Sequence, residues 1–278
     1  MNIFNTARFK VLLKYINSNN NVSFFELLNF LVSSPHYLKV RKYINKTLYS
    51  NEEYNIIYFK NIMYPLYFPK NYKIISLNQT ILETFDKNNW HYYELSETMV
   101  NEKDIVVDCG SAEGLFALSC FQRAKHVYAI EPLRSFVNCL ELTFKEITNV
   151  TIIDKALSDT AYSCHIIDDG ISSYLVEEPN DDSFEVDVTT LDDLFYTQKI
   201  PITYIKIDLE GFDLKALIGA KNLIKKNKPK IAITVYHEPS HLEEIKYFLS
   251  QIVPEYNFYA KGIFQTTGSY VMLHAWIK

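Results

Sequence analysis

The sequence predicts a doubly wound α/β fold with an inserted β-hairpin and an N-terminal helical extension, and three observations carry that expectation. The apolar run Ile105–Val107 ends in Asp108 and passes through a turn of small residues, Gly110, Ser111, Ala112 and Gly114, into the helical run Leu115-Phe-Ala-Leu-Ser119. A second apolar run, His126–Ile130, ends in Glu131, at about the 20-residue interval at which such folds place a ribose-binding acid. From Asp104 onward, strand-like and helix-like segments alternate, which argues for a parallel sheet covered by helices on both faces.

Strands are expected near 104–108, 126–130, 150–154, 203–208 and 230–236. Helices are expected near 114–123, 133–147, 211–226 and 239–252. Two β-like runs, Tyr162–Ile167 and Phe184–Val188, interrupt the alternation. They read as a hairpin in or beside the sheet, joined by a loop rich in acids: Asp168, Asp169, Glu177, Glu178, Asp181 and Asp182. That loop reads as a solvated one; the functional alternative has the loop and Tyr174 gating an acceptor. Thr190-Leu-Asp-Asp193 resembles a capping box opening a short helix. Tyr256–Ala260 and Tyr270–Ile277 read as a terminal antiparallel strand pair.

Upstream, residues 1–60 are expected to be a helical extension and 61–278 the main domain. Phe9, Leu12, Leu13 and Ile16 recur at helical spacing, and Ser23 with Glu26 forms a capping box for a second helix. A third helix is expected around Val40–Leu48. The extension is either a dimer arm or substrate lid, or a helical layer on the main domain, and the second reading is favoured. Homo-oligomerisation would run through these helices. Pro65 and Pro69 bracket an edge strand or extended segment; Ile81–Phe85 and Tyr92–Met99 look helical.

Composition excludes several classes. The net charge of −5 and the absence of a basic block argue against a nucleic-acid binder. Cys109, Cys120, Cys139 and Cys164 form no C-x-x-C pair and have no histidine cluster beside them, so reduced thiols are expected rather than a zinc site. No signal-type or membrane-length apolar run occurs, and a cytoplasmic protein without a membrane span is expected. The 21 Tyr and 18 Phe read as codon bias rather than as a sugar-stacking surface.

The turn after Asp108 differs from the dinucleotide pattern G-x-G-x-x-G: its third small position comes one residue early, and an acid precedes it. An acid there suits the cationic amino-acid end of S-adenosylmethionine (SAM) and sits poorly beside a pyrophosphate. No G-x-x-x-x-G-K-[ST] occurs, which excludes a nucleotide-hydrolysing P-loop. A second constellation is Lys206, Asp208, Glu210 and His237. If their strands are neighbours, Asp208, Glu210 and His237 converge at the C-terminal rim of the sheet. They supply ligands for a divalent ion of the Mg²⁺ or Mn²⁺ class, or a histidine base oriented by a carboxylate. The structural alternatives are that Glu210 favours a helix N-terminus, that Lys206 pairs with a carboxylate in the sheet and that His237 opens a helix. His241, Tyr236, His274 and Thr266 are weaker acceptor-site candidates, and His274 reads as a core hydrogen-bonding residue.

Asp108-Cys-Gly-Ser-Ala-Glu-Gly114, Ala129-Ile-Glu-Pro132, Ala156-Leu-Ser-Asp159, Thr189-Thr-Leu-Asp-Asp193, Ile205-Lys-Ile-Asp-Leu-Glu-Gly-Phe-Asp213 and Lys230-Ile-Ala-Ile-Thr-Val-Tyr-His237 follow one another here. In that order they resemble the motifs of FkbM-type methyltransferases. The resemblance covers roughly residues 90 to 278 and leaves the N-terminal region outside. It implies a class I, Rossmann-like, SAM-dependent O-methyltransferase, with Asp108 and Gly110 at the methionine end, Glu131 at the ribose, and Asp154 to Ala156 beside the adenine. Ser111, Gly114, Pro132 and Asp208 complete the implied cofactor set, and Asp208, Glu210 and His237 the catalytic or metal set. The implied acceptor is a hydroxyl of a bacterial surface sugar, of capsule or lipopolysaccharide type, or of its nucleotide-linked precursor. Two rivals stand beside this reading. An NAD-dependent sugar oxidoreductase would also use Glu131, but no Tyr-x-x-x-Lys pair follows the fourth strand. A non-catalytic partner-binding protein on a decayed fold would not need acids at Asp108, Glu131 and Asp208.

Overall fold

The computed structural model describes residues 7–18, 20–50, 52–167, 174–176 and 183–278. The N-terminal part begins with α1 (Ala7–Asn17), α2 (Phe24–Val32) and α3 (His36–Lys39), the last continued by a 3-10 turn, Val40–Lys42. The Ser23 hydroxyl accepts from the Glu26 N–H while the Glu26 carboxylate accepts from the Ser23 N–H, the reciprocal cap expected from the sequence. The expected third helix over Val40–Leu48 is not formed. Helix ends at Lys42, and β1 (Ile44–Ser50) starts an antiparallel sheet with β2 (Tyr54–Phe59) and β3 (Leu66–Pro69). β-branched and aromatic residues in β2 override the helical spacing there. This sheet joins residues on both sides of position 60.

After α4 (Leu77–Phe85), the segment Tyr92–Met99 forms turns rather than the expected helix. Its side chains are tied to the main domain instead: the Tyr93 carbonyl accepts from the Tyr204 hydroxyl, and Glu94 pairs with Arg123 at 2.7 Å.

The main sheet has seven strands, built from β4 (Ile105–Cys109), β5 (His126–Ile130), β6 (Val150–Ile153), β11 (Tyr204–Ile207), β12 (Lys230–Thr234), β13 (Asn257–Lys261) and β14 (Met272–Trp276). Their spatial order is β13-β14-β12-β11-β4-β5-β6. The five strands from β6 to β12 run parallel, and β14 and β13 are antiparallel additions. Alternate residues of β4 face opposite cores. Val106 faces a cluster with α4, α5 (Leu115–Cys120) and α6 (Arg134–Thr143), whereas Val107 faces one with α7 (Asp213–Ile218), α8 (Lys221–Asn227) and α9 (His241–Ile252). Two helical expectations are corrected in extent. α6 stops at Thr143 instead of running to 147, and the span 211–226 is two helices broken at Gly219-Ala220.

The expected hairpin lies beside the main sheet. β8 (Tyr162–Ile167) pairs antiparallel with β10 (Ser183–Thr189) in a separate four-stranded sheet with β7 (Ala156–Leu157) and β9 (Tyr174–Val176). Asp168, Asp169, Glu177, Glu178, Asp181 and Asp182 lie outside the described residues. The Thr190 hydroxyl accepts from the Asp193 N–H at 3.0 Å and opens the short helical turn Asp192–Tyr196.

Because β5 and β11 flank β4, the chain leaves β4 toward one side of the sheet and later returns on the other. Ligand crevices of doubly wound sheets form at such a switch point, beyond the C-terminal strand ends.

Candidate active site

Asp108 of β4 stands opposite Lys206 of β11 in the parallel register, and the two side chains share one face. Lys206 Nζ lies 3.1 Å from Asp108 Oδ1, with Asp108 inaccessible to solvent. The same ammonium donates to the Gly110 carbonyl at 2.7 Å and lies over the Tyr93 ring. Lys206 therefore pairs with a carboxylate in the sheet and draws the turn onto the strand end. The turn is closed from the other side by Glu131, which accepts from the N–H of Ala112 at 2.8 Å and of Leu133 at 3.0 Å. Burial pushes the Glu131 carboxyl up to about 7, against the pull of those two N–H groups.

Small residues in this turn serve the protein's own close contacts. A Cβ on Gly110, whose φ is +73°, would stand 2.1 Å from the Asp208 carbonyl oxygen. One on Gly114 would meet Leu140 of α6 at 2.3 Å. The Gly110 turn is thus fitted against the Asp208 turn, and the Asp208 N–H donates to the Cys109 carbonyl.

Burial raises the Asp108 carboxyl although Lys206 opposes this, and raises Glu113 to about 8. Both oxygens of Asp108 and one of Glu113 are buried without a hydrogen bond of good geometry. Asp108 and Asp208 both act on the Lys206 ammonium and raise its pKa against burial, whereas burial favours the protonated form of Glu113. Ser111 is buried, its hydroxyl donating to the Asp108 carbonyl, and Pro132 is half-buried. Asp154, just past β6, is exposed and pairs with Arg134 at 3.0 Å; Ala156 is buried in β7. All of these belong to the C-terminal edge of the parallel strands or the connections leaving it; Asp108 pairs with Lys206 and offers no exposed oxygen.

Asp208, Glu210 and His237 come together as their spacing suggested. One ligand atom from each lies within 4.8 Å of the others. Asp213, to which the sequence reading gave no role, holds the group in place. Its Oδ1 accepts from the Leu209 N–H and the Thr234 hydroxyl, and its Oδ2 from the Gly211 N–H and from His237 Nδ1 at 2.9 Å. Burial would raise the Asp213 carboxyl, yet these donors hold it below its ordinary value. With its Nδ1 proton on Asp213, His237 turns Nε2 toward Glu210 Oε2, 3.4 Å away, and Asp208 Oδ1, 3.9 Å away. Nε2 is buried and makes no hydrogen bond of good geometry. Burial disfavours an imidazolium here, but Asp213 and Glu210 raise the His237 pKa to about 10. The backbone bends sharply between these groups: Glu210 has φ +48° and Gly211 +102°.

Tyr93, His91 and Glu83 also reach this site, and the sequence gave no warning of them. The Tyr93 hydroxyl donates to Asp208 Oδ2 at 2.9 Å. His91 stands between two acids, Nδ1 3.0 Å from Glu83 and Nε2 3.7 Å from Asp208. They come from α4 and the turns that follow it, a region expected to be largely helical and carrying no motif that marks these side chains. Asp213 had a signal, its place at the end of the quoted Ile205–Asp213 motif. Of the weaker candidates, Tyr236 packs tilted against His237, with ring centroids 4.2 Å apart. His274 is a core residue bonded to Thr98, as expected, while His241 is buried on α9 and Thr266 exposed.

The model of the FkbM methyltransferase domain matches residues 108–259, more than half of the chain. The chain belongs to the FkbM family of SAM-dependent methyltransferases. Methyltransferase FkbM from Methylobacillus flagellatus KT, known from its crystal structure, is similar at 21% identity over 72% of this chain, with a TM-score of 0.52. The match covers 54% of that protein, so this FkbM chain spans about half the length of its relative. A tRNA m1G37 methyltransferase of M. jannaschii is a more distant likeness, at 15% identity over 82% of this chain and 56% of its own, TM-score 0.46. No curated protein sequence matches the chain significantly. Among the described residues, no helix is long and apolar enough to cross a membrane.

Proposed function

We propose that this protein transfers the methyl group of SAM to a hydroxyl of a saccharide, as an O-methyltransferase working on a bacterial surface sugar or its precursor in the cytoplasm. The observation that carries this reading is the juxtaposition of two features at one sheet edge. One is the acid-rich turn region at the switch point; the other, across the shared Asp208 turn, is the Asp208–Glu210–His237 group. SAM bears a sulfonium and an ammonium and no phosphate, which suits a turn lined by carboxyl groups whose Lys206 ammonium is already paired with Asp108; NAD carries a pyrophosphate, which such a turn would hold poorly. Glu131 has a free lone pair on each oxygen beyond the two N–H bonds it accepts, and these would receive the ribose hydroxyls.

A sugar hydroxyl is a weak acid and must lose its proton as it attacks the methyl carbon. Oxygen gains the carbon bond, sulfur takes the electron pair of the breaking bond, and the proton leaves toward the Asp208–Glu210–His237 group. The donor set fits a divalent ion of the Mn²⁺ or Mg²⁺ class: two carboxylates and an imidazole nitrogen that is buried with no hydrogen-bond partner. Bound there, the ion would polarise the acceptor oxygen. Asp213 supports a second reading, because its bond to Nδ1 would equally orient His237 as a base once Nε2 has lost its proton, which a pKa of about 10 places at alkaline pH. Methyl transfer from labelled SAM to soluble bacterial glycans and nucleotide sugars tests the proposal. Activity that EDTA abolishes and Mn²⁺ restores assigns the group to an ion, activity indifferent to EDTA assigns it to His237, and transfer only to nitrogen or carbon acceptors overturns the hydroxyl assignment.

A further inference from the structure

A cavity of about 400 Å³ lies beside this site, within the ~300–1,000 Å³ typical of small-molecule pockets. His91, Tyr236 and Phe264 form part of its lining. These are the residues that lead to the reactive edge: His91 faces Asp208, Tyr236 packs tilted against His237, and Phe264 stacks on Tyr236 with centroids 4.4 Å apart. Residues of the N-terminal helices also line the cavity, Val11 of α1, Asn29 and Phe30 of α2, and His36 of α3. That wall is fixed in place. Val11, Val22 and Leu27 pack with Ile263 in a small core of their own, and Phe30 stacks on Trp90 with centroids 4.7 Å apart.

The lining chemistry is that of a polyol site. Side-chain amides line the cavity, among them Asn29, Gln79, Asn88, Asn89 and Gln265, beside the aromatic rings. Amides offer a donor and an acceptor each, which matches hydroxyls that do both. Charges nearly balance. Glu26 and Glu83 offset part of Lys39, Lys87 and Lys261; Lys39 lies 3.6 Å from Asp86, and the Lys261 ammonium donates to the Tyr92 carbonyl. A diphosphate would call for a surplus of uncommitted cations, whereas an uncharged sugar ring does not.

Resting on the methyltransferase reading above, we propose that this cavity is the acceptor site, that it takes an uncharged saccharide unit, and that α1 to α3, which lie outside the family-matched residues, supply the wall that selects it. The hydroxyl to be methylated enters past His91 and Tyr236.

Saturation-transfer NMR on the full chain, saturated with the demethylated cofactor S-adenosylhomocysteine, tests this with methyl glycosides of glucose, galactose, N-acetylglucosamine and rhamnose as probes and inorganic pyrophosphate as competitor. At least one glycoside is expected to bind without competition from pyrophosphate. Asn29→Trp and Gln265→Trp, both at exposed lining positions from distant parts of the sequence, are each expected to weaken that binding at least 10-fold. Calorimetric affinity for S-adenosylhomocysteine should stay within about threefold. Glycoside binding undiminished in both variants, displacement by pyrophosphate, or no glycoside binding to the wild type overturns the acceptor assignment while leaving the cofactor reading intact. Failure to bind S-adenosylhomocysteine in calorimetry, with glycosides still bound in a cofactor-free sample, overturns the methyltransferase reading instead.

Discussion

Glu113 shows how strongly single carboxylates are loaded at this edge. Burial raises it from 4.5 to about 8, so the folded protein holds its proton in a range where an unfolded chain has lost it. Its contribution to stability is therefore complete below pH 4.5 and lost as pH rises through 8. At about 1.4 kcal/mol per unit, the loss is on the order of a few kcal/mol. Glu113→Gln keeps the shape without the proton, and thermal melts of the cofactor-free protein should fall less for this variant than for wild type between pH 5 and pH 8. Identical slopes would mean that Glu113 is solvated. Asp213 makes a contrasting case, a buried acid kept charged by four donors. Asp213→Asn removes the charge that fixes the His237 tautomer. Turnover is expected to drop on the order of 10²-fold or more with cofactor affinity nearly unchanged, and unchanged turnover would leave Asp213 a structural residue alone.

At the scale of elements, the β4-to-α5 and β11-to-α7 turns behave as one unit. Gly110 is seated on the Asp208 carbonyl, and a methyl group there would both require an unfavourable φ and collide with backbone. Gly211, at φ +102°, has open space around its Cβ position. Urea unfolding should thus show Gly211→Ala costing about 1–2 kcal/mol, from strain alone, and Gly110→Ala costing distinctly more. Equal costs would contradict the interlocking of the two turns. The sequence made the strands at these turns legible because β4, β11 and β12 are buried on both faces, which leaves near-continuous apolar runs. Positions 92–99 and 44–50 were misread for the converse reason. The contacts of 92–99 are tertiary, such as the Tyr93 hydroxyl on Asp208, and 44–50 pair as a strand with β2. The candidate site divides in the same way. Asp208, Glu210 and His237 follow strand ends and could be read from the sequence, whereas His91, Glu83 and the α1–α3 wall reach the site only through folding of the preceding turns.

Across the whole molecule, the sheet separates two tasks. The β4–β6 half carries the turn and acids assigned to the cofactor, and the β11–β12 half carries the group assigned to the proton, with the N-terminal helices beyond it. Substitutions on the second half should accordingly slow the reaction without loosening the cofactor. His237→Ala is expected to lower kcat by at least 10²-fold while the dissociation constant for S-adenosylhomocysteine moves less than about threefold; parallel loss of both would merge the two tasks. Upstream of every one of these expectations is the identity of the molecule held at the switch point. Titration calorimetry of S-adenosylhomocysteine and, separately, of NAD into the wild-type chain and Glu131→Ala measures it most directly. The account predicts saturable one-to-one binding of S-adenosylhomocysteine that falls at least 10-fold in Glu131→Ala, with no heat from NAD. Binding of NAD in preference, or S-adenosylhomocysteine binding that ignores the loss of Glu131, would contradict it.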